Sequence, residues 1–148
     1  MNLLAPVSTI MSTDLITVKP NDKLSLVQEI FQSNRIHHIL VIDNQKLVGI
    51  ISKSDFLFFQ KGYKNKKVSR ETQKLRLKVR KAKEIMTSKI AKMESHQKLD
   101  IALAIFKENL FHAIPVVEKG EVVGIITTYD FIKHLADDKE VVREYQLA

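Results

Sequence analysis

Val48-Gly49-Ile50-Ile51-Ser52-Lys53-Ser54-Asp55-Phe56 and Val123-Gly124-Ile125-Ile126-Thr127-Thr128-Tyr129-Asp130-Phe131 are one pattern written twice. In each, an apolar run of strand length ends at a hydroxyl residue, and an acid follows three positions later. A hydroxyl with an acid at that spacing starts a helix, so the pattern reads as a strand turning a corner into a helix. Sliding the sequence over itself by 75 positions aligns residues 10–57 with 85–132 without a gap, and 16 of the 48 positions are identical. A match of that density without insertions indicates a duplicated supersecondary unit.

Working outward, the two copies share the rest of their pattern. Leu24, Val27, Ile30 and Phe31, echoed by Leu99, Ala102, Ile105 and Phe106, fall on one face of a helix. Two apolar runs follow, Ile39 to Ile42 and Leu47 to Ile51, separated by the polar turn Asp43 to Lys46; Glu118-Lys119-Gly120-Glu121 is the second copy's turn. This reads as a hairpin covered on both faces. Second helices begin near Ser54 and Tyr129, and short extended pieces at Leu15 to Val18 and Ile90 to Met93 precede the first helices. Each unit is therefore strand, helix, strand, strand, helix, in a mixed α/β chain. Units this small are expected to pack into a single shared core.

Between the copies, Val68, Thr72, Leu75, Val79 and Ala82 recur at steps of four and three, which places them on one stripe of an extended connecting helix with Lys and Arg elsewhere. The organisation that follows is one module over 1–148, with repeat 1 at 7–61, a basic helical linker at 62–84, repeat 2 at 85–136 and a tail at 137–148. The protein carries a net charge of +7, yet Lys61 to Lys83 holds 11 of the 24 Lys and Arg against one acid, Glu71. Basicity belongs to that segment, and the remainder is slightly acidic. As a functional surface the segment could attract nucleic acid; no aromatics lie between Lys64 and Lys83 to stack on bases, so a solvated or dimer-facing helix is favoured.

Composition narrows the classes further. A chain of 148 residues with 45% apolar and 28% charged residues, 4 Gly and 3 Pro is an ordered globular protein, neither collagenous nor low-complexity. The absence of cysteine excludes disulfides, thiolate metal sites and cysteine nucleophiles. Residues 1–15 lack the pattern of a signal peptide, and no apolar run reaches the roughly 18 residues that span a bilayer. A soluble, cytoplasmic protein is expected.

The doubled corner is where chemistry concentrates. Ser52 with Asp55, and Thr127 with Asp130, direct a hydroxyl and a carboxylate to one spot above a helix start. An ionised Asp there can accept two hydrogen bonds from a cis-diol such as ribose, and the adjacent free N–H groups suit a phosphate. The same spacing is also a plain helix cap. The glycine at the head of both copies tips the reading towards a ligand, because capping does not need it and close approach of a flat group does. His37, His38 and His112 invite a metal site, but no carboxylate stands at ligand spacing beside them. Strand-start hydrogen bonding or contact with a nucleotide phosphate is the expected role. No nucleophile, base and orienter stand out, so the chain reads as a binding protein and not an enzyme.

These features together resemble the cystathionine beta-synthase (CBS) domain in its paired arrangement, the Bateman module. The resemblance rests on Ile10-Met11-Ser12 and Ile85-Met86-Thr87 ahead of the units, on Ile114-Pro115-Val116-Val117, and on the two Gly-to-Asp motifs. It implies two β-α-β-β-α repeats packed about a pseudo-twofold axis, with two clefts that take adenosine-containing ligands such as AMP, ADP or ATP. By that resemblance Ser52 with Asp55, and Thr127 with Asp130, hold ribose. Ile16, Thr17 and Ile39 in one cleft, and Ile90, Ala91 and Ile114 in the other, contact adenine. Leu40 stands where the family usually has proline, Ser52 where threonine is commoner, and Lys92 at the position equivalent to Thr17, which makes the second motif the better preserved. The resemblance further implies a regulatory module that needs no cofactor and acts on an unknown separate effector, assembled as a homodimer that buries Phe58, Phe59 and Tyr63. The alternative is a nucleic-acid-binding protein using Lys61 to Lys83.

Overall fold

In a computed structural model that describes residues 1–61, 69–108 and 111–137, both repeats fold in the order read from the sequence. The first runs β1 (Thr17–Val18), α1 (Leu24–Ser33), β2 (His38–Asp43), β3 (Lys46–Ser52) and α2 (Lys53–Lys61). After α3 (Arg70–Val79), the second runs β4 (Met93–Glu94), α4 (Leu99–Lys107), β5 (Ala113–Glu118), β6 (Glu121–Thr127) and α5 (Thr128–Asp137). The strands leading the units are two residues long, shorter than the extended runs expected at 15–18 and 90–93, because only these residues pair with the neighbouring strand.

Each unit holds a three-stranded sheet, β1-β2-β3 or β4-β5-β6, with the first pair parallel and the second antiparallel. The central strands β2 and β5 are covered on both faces, which is why their apolar runs do not alternate. Both hairpins carry the same irregularity. The register shifts after Val41 in one and after Val116 in the other, leaving Val48 and Val123 as the extra residue. Both also close through two residues at positive φ, Asn44 (46°) and Gln45 (67°), or Lys119 (50°) and Gly120 (84°). Two left-handed residues in a two-residue loop match the twist of the flanking strands.

Among the described residues the buried side chains form two clusters, where a single core was expected. Val18, Leu24, Val27, Phe31, Ile39, Ile51 and Phe56 belong to one; Met93, Leu99, Ala102, Phe106, Ile114, Ile126 and Phe131 belong to the other. Phe31 and Phe56 meet at 5.8 Å between ring centroids, and their counterparts Phe106 and Phe131 at 5.9 Å edge-to-face, so the same aromatic pair ties the two helices of each unit.

Each cluster is completed by a segment from the far side of the sequence. One compact unit comprises residues 15–90 and the other 1–14 with 91–148, so the boundaries in space differ from those of the repeat in sequence. Val7 is fully buried in the second cluster, and Ala82, its equivalent 75 positions on, in the first. Beyond them the backbone of Ser12 pairs with Ile125 (2.9 Å in both directions) and that of Thr87 with Ile50 (2.9 and 3.0 Å). These segments cover the outer edges of β6 and β3, which would otherwise present unpaired N–H and C=O groups.

The linker departs from its expected stripe. Leu77 is the buried residue of α3, while Leu75 (63% exposed) and Val79 (58% exposed) face solvent. α3 packs on α1, and the chain after it bonds to the start of that helix, through Leu24 N–H to the Arg80 carbonyl (3.0 Å) and Ala82 N–H to Asp22 (2.8 Å). Docking to one neighbour, and not periodicity, decided which face turned inward. Val68 and Tyr63 lie outside the described residues, as does the tail beyond Asp137. In the turn that follows α3, Glu84 accepts from the Arg80 guanidinium (2.7 Å) and the Lys81 N–H (2.7 Å), which hold its carboxyl below the usual range.

Gln45 adopts a conformation that costs an L-residue about 1–2 kcal/mol, and the second hairpin has Gly120 at the equivalent place. Gln45→Gly should therefore raise stability in urea denaturation, by up to about 1 kcal/mol once glycine's extra chain entropy is subtracted.

Candidate corner sites

At both corners the sequence folds as its spacing dictates. In the first, the Ser52 N–H donates to Asp55 Oδ2 (3.2 Å) and the Asp55 N–H donates to Ser52 Oγ (3.0 Å). In the second, the Thr127 N–H (2.7 Å) and Thr127 Oγ1 (2.6 Å) both donate to Asp130 Oδ2, and the Asp130 N–H reaches Thr127 Oγ1 at 3.3 Å. These are reciprocal caps that satisfy N–H groups left over at the start of α2 and α5. The caps also fix the direction in which each carboxylate points.

Beyond the cap the two corners differ. Asp55 is half-buried, and among the described residues its Oδ1 accepts no hydrogen bond. Asp130 is only 8% exposed, and its Oδ1 accepts from Ser12 Oγ at 2.9 Å. The motif that better matches the family pattern is thus the more fully engaged with its own chain. Thr87, the counterpart of Ser12, makes no such contact, and among the described residues its hydroxyl has no hydrogen-bond partner.

The glycines have a packing role that the sequence did not reveal. A Cβ on Gly49 would collide with the side chain of Met86, lying 2.8 Å from its Cγ and 3.0 Å from its Cβ. A Cβ on Gly124 would collide with Met11, 2.9 Å from its Cγ. Each glycine admits the methionine of the segment crossing over its hairpin, so the repeated Gly is explained without a ligand.

The other sequence-derived positions separate into accessible and enclosed ones. Ile39 and Ile114 are fully buried in their clusters and present no side chain for a ligand to touch. Ile16, Ile90 and Ala91 are half-buried and Thr17 is exposed; Ile90 falls in the unit of the first repeat, whereas Ala91 and Ile114 fall in the other. His37 and His112 are exposed, and their backbone carbonyls accept from the Lys53 (2.8 Å) and Thr128 (3.4 Å) N–H groups at the helix starts. His38 is half-buried. Among the described residues no group of three His, Cys, Asp or Glu could hold a metal ion.

An open hollow of about 350 Å³ lies beside Asp130, lined also by Ser12, Asp14, Lys133, His134 and Asp137. Lys133 and His134 had not been singled out in the sequence. The signal was there: the equivalent positions in the first repeat are Phe58 and Phe59, and a change from aromatic to basic between otherwise matching helices marks a difference in what the two surfaces meet. Ser12 carried no comparable signal, since only the crossing of residues 1–14 to the second hairpin brings it to Asp130.

Gly49→Ala should destabilise by about 1–3 kcal/mol in denaturant titrations, and more than Gly124→Ala, because Met86 is crowded at its backbone-anchored Cβ while Met11 is crowded only along its flexible end. Adding Met86→Ala to Gly49→Ala should recover part of that loss.

The comparisons with known proteins agree with this architecture. The solved structure of CBSX2 in complex with AMP is similar with a TM-score of 0.71 and 25% identity, covering 88% of this chain and 95% of that one. The CBS domain pair of protein MJ0100, solved with 5'-methylthioadenosine and S-adenosyl-L-methionine, is similar with a TM-score of 0.72 and 25% identity, covering 92% and 99%. Inosine-5'-monophosphate dehydrogenase of Thermoplasma acidophilum is 25% identical over 125 residues, which is 84% of this chain and 22% of the dehydrogenase. The chain spans from about a fifth to under a half of the length of the curated relatives it matches. The CBS domain family model matches residues 7–62 and 82–137. With two such matches over most of its length, the chain belongs to the CBS domain family.

Proposed function

We propose that the protein is a regulatory binding module for an adenosine-containing ligand, in which Asp55 and Asp130 each accept hydrogen bonds from the ribose cis-diol. The observation that carries this reading is the open Oδ1 of Asp55, a half-buried carboxylate oriented by its own helix cap and with acceptor capacity to spare. The ligands bound by the two similar structures have an adenosine unit in common but not a phosphate, which singles out base and ribose as the shared recognition element.

In this reading AMP, ADP or ATP is the regulatory ligand and no cofactor is required. Ser52 and Thr127 orient the two acids. Adenine falls to Ile16, Thr17, Ile90 and Ala91, while the enclosed Ile39 and Ile114 contribute only backbone. Beside Asp130, Lys133 is the cation that can pair with a phosphate and His134 can donate to it, in a hollow that Asp14 and Asp137 also line; the exposed His37 and His112, and His38, are the further phosphate candidates. The module works in the cytoplasm by binding and not by catalysis, and passes its occupancy to an effector of separate chain. Among the described residues no helix is long and apolar enough to cross a membrane.

Assembly as a homodimer fits the exposed apolar side chains of the second helices. Phe58 is 62% exposed on α2, and Tyr129 and Ile132 are 67% and 61% exposed on α5. Phe59, by contrast, is half-buried and packs against the first core cluster.

Thermal shift with AMP, ADP, ATP and S-adenosylmethionine tests the ligand. At 100 times its dissociation constant, a bound nucleotide should stabilise by about 2.7 kcal/mol. The shift, measured against each variant's own melting point, should shrink in Asp55→Asn or Asp130→Asn; melting curves unmoved by every compound would remove the adenosine reading. For the dimer, Phe58→Glu should halve the mass found by sedimentation equilibrium, and an unchanged mass would exclude Phe58 from the interface.

A further inference from the structure

From the unequal engagement of the two carboxylates we infer that Ser12 is an affinity-determining residue, a built-in competitor for Asp130 that makes the two motifs fill in order, Asp55 first. The inference rests on the adenosine reading and adds a residue that the reading does not need.

A carboxylate offers about four acceptor positions. Among the described residues, one is taken at Asp55, by the Ser52 N–H. At Asp130 three are taken: Oδ2 by the Thr127 N–H and hydroxyl, and Oδ1 by the Ser12 hydroxyl. A cis-diol donates two hydrogen bonds, so Asp55 can receive it as it stands, whereas Asp130 must first release a donor.

Which donor leaves is decided by how each is held. The Thr127 N–H is fixed by the strand-to-helix corner, and the Thr127 hydroxyl also accepts from the Asp130 N–H at 3.3 Å. Ser12 is held to the second hairpin by its backbone alone, through the bridge to Ile125, and its side chain is exposed. Its hydroxyl can rotate to water without disturbing that bridge. The diol and Ser12 Oγ therefore compete for Asp130 Oδ1.

The repeat supplies an internal contrast. Thr87 crosses β3 by the same backbone bridge that carries Ser12 across β6, yet its hydroxyl does not engage Asp55. A second heavy substituent on Cβ restricts the χ1 choices of threonine, a restriction serine does not share. Among the described residues the competing donor is thus present on one side of the duplication only.

The test uses AMP and isothermal titration of the full chain. Asp55→Asn leaves Asp130 as the remaining ribose carboxylate, and Ser12→Ala added to it should tighten AMP binding roughly 2- to 10-fold, the span of one net hydrogen bond. Ser12→Cys, of nearly the same shape with a weak donor, should act in the same direction and guards against a local effect of alanine. In an Asp130→Asn chain, Ser12→Ala should leave AMP affinity unchanged. An equal or weaker affinity after Ser12→Ala in the Asp55→Asn chain overturns the competition while the adenosine reading stands. Failure of AMP to bind any of these chains, the unsubstituted one included, overturns both.

Discussion

The packing of a methionine against a hairpin that has no side chain to oppose it is the contact on which the fold turns. Met86 lies over Gly49 and Met11 over Gly124, and in each case the adjoining residue bridges to the hairpin's outer strand. A three-stranded sheet of this size cannot cover its own edge. A segment laid across it satisfies the exposed backbone groups and delivers a buried residue, Ala82 or Val7, to the cluster beneath. Because the covering segment comes from the other half of the sequence, neither repeat is a complete unit as read from end to end.

The same constraint governs the candidate sites. The corner motif caps its helix whatever else it does, since the reciprocal Ser52–Asp55 and Thr127–Asp130 bonds satisfy N–H groups that would otherwise lack partners. What distinguishes one corner from the other is the chain that crosses above it. Ser12 arrives with a hydroxyl that closes on Asp130, while Thr87 arrives at the first corner and, among the described residues, nothing engages Asp55 Oδ1. Duplication has kept the local geometry and let the surroundings diverge. The same divergence appears where Phe58 and Phe59 of one helix correspond to Lys133 and His134 of the other.

Much of this was legible without coordinates, for reasons that can be stated residue by residue. The helical spacing of Leu24, Val27, Ile30 and Phe31, the polar turns at Asp43 to Lys46 and Glu118 to Glu121, and the hydroxyl-to-acid spacing are local signals, and local backbone chemistry carried them into α1, both hairpins and both caps. The stripe expected along the linker failed because Val79 and Leu75 had as good a period as Leu77, and only docking against α1 chose between them. Close approach at Gly49 and Gly124 is legible in the sequence, but the group that approaches is Met86 or Met11. Resemblance makes Ile39 and Ile114 ligand contacts, and in the structure their side chains are buried within the two clusters.

By itself the sequence determined the duplication, the order of elements in each copy and the chemistry available at each corner, because all three follow from spacing along the chain. Tertiary structure alone decided which segment completes which unit, and hence that Ser12 meets Asp130 across 118 positions while, among the described residues, Asp55 Oδ1 is left unengaged. Pairing between distant segments depends on which edge is left unsatisfied once the local elements have formed, and that is a property of the assembled sheet and not of any stretch of sequence.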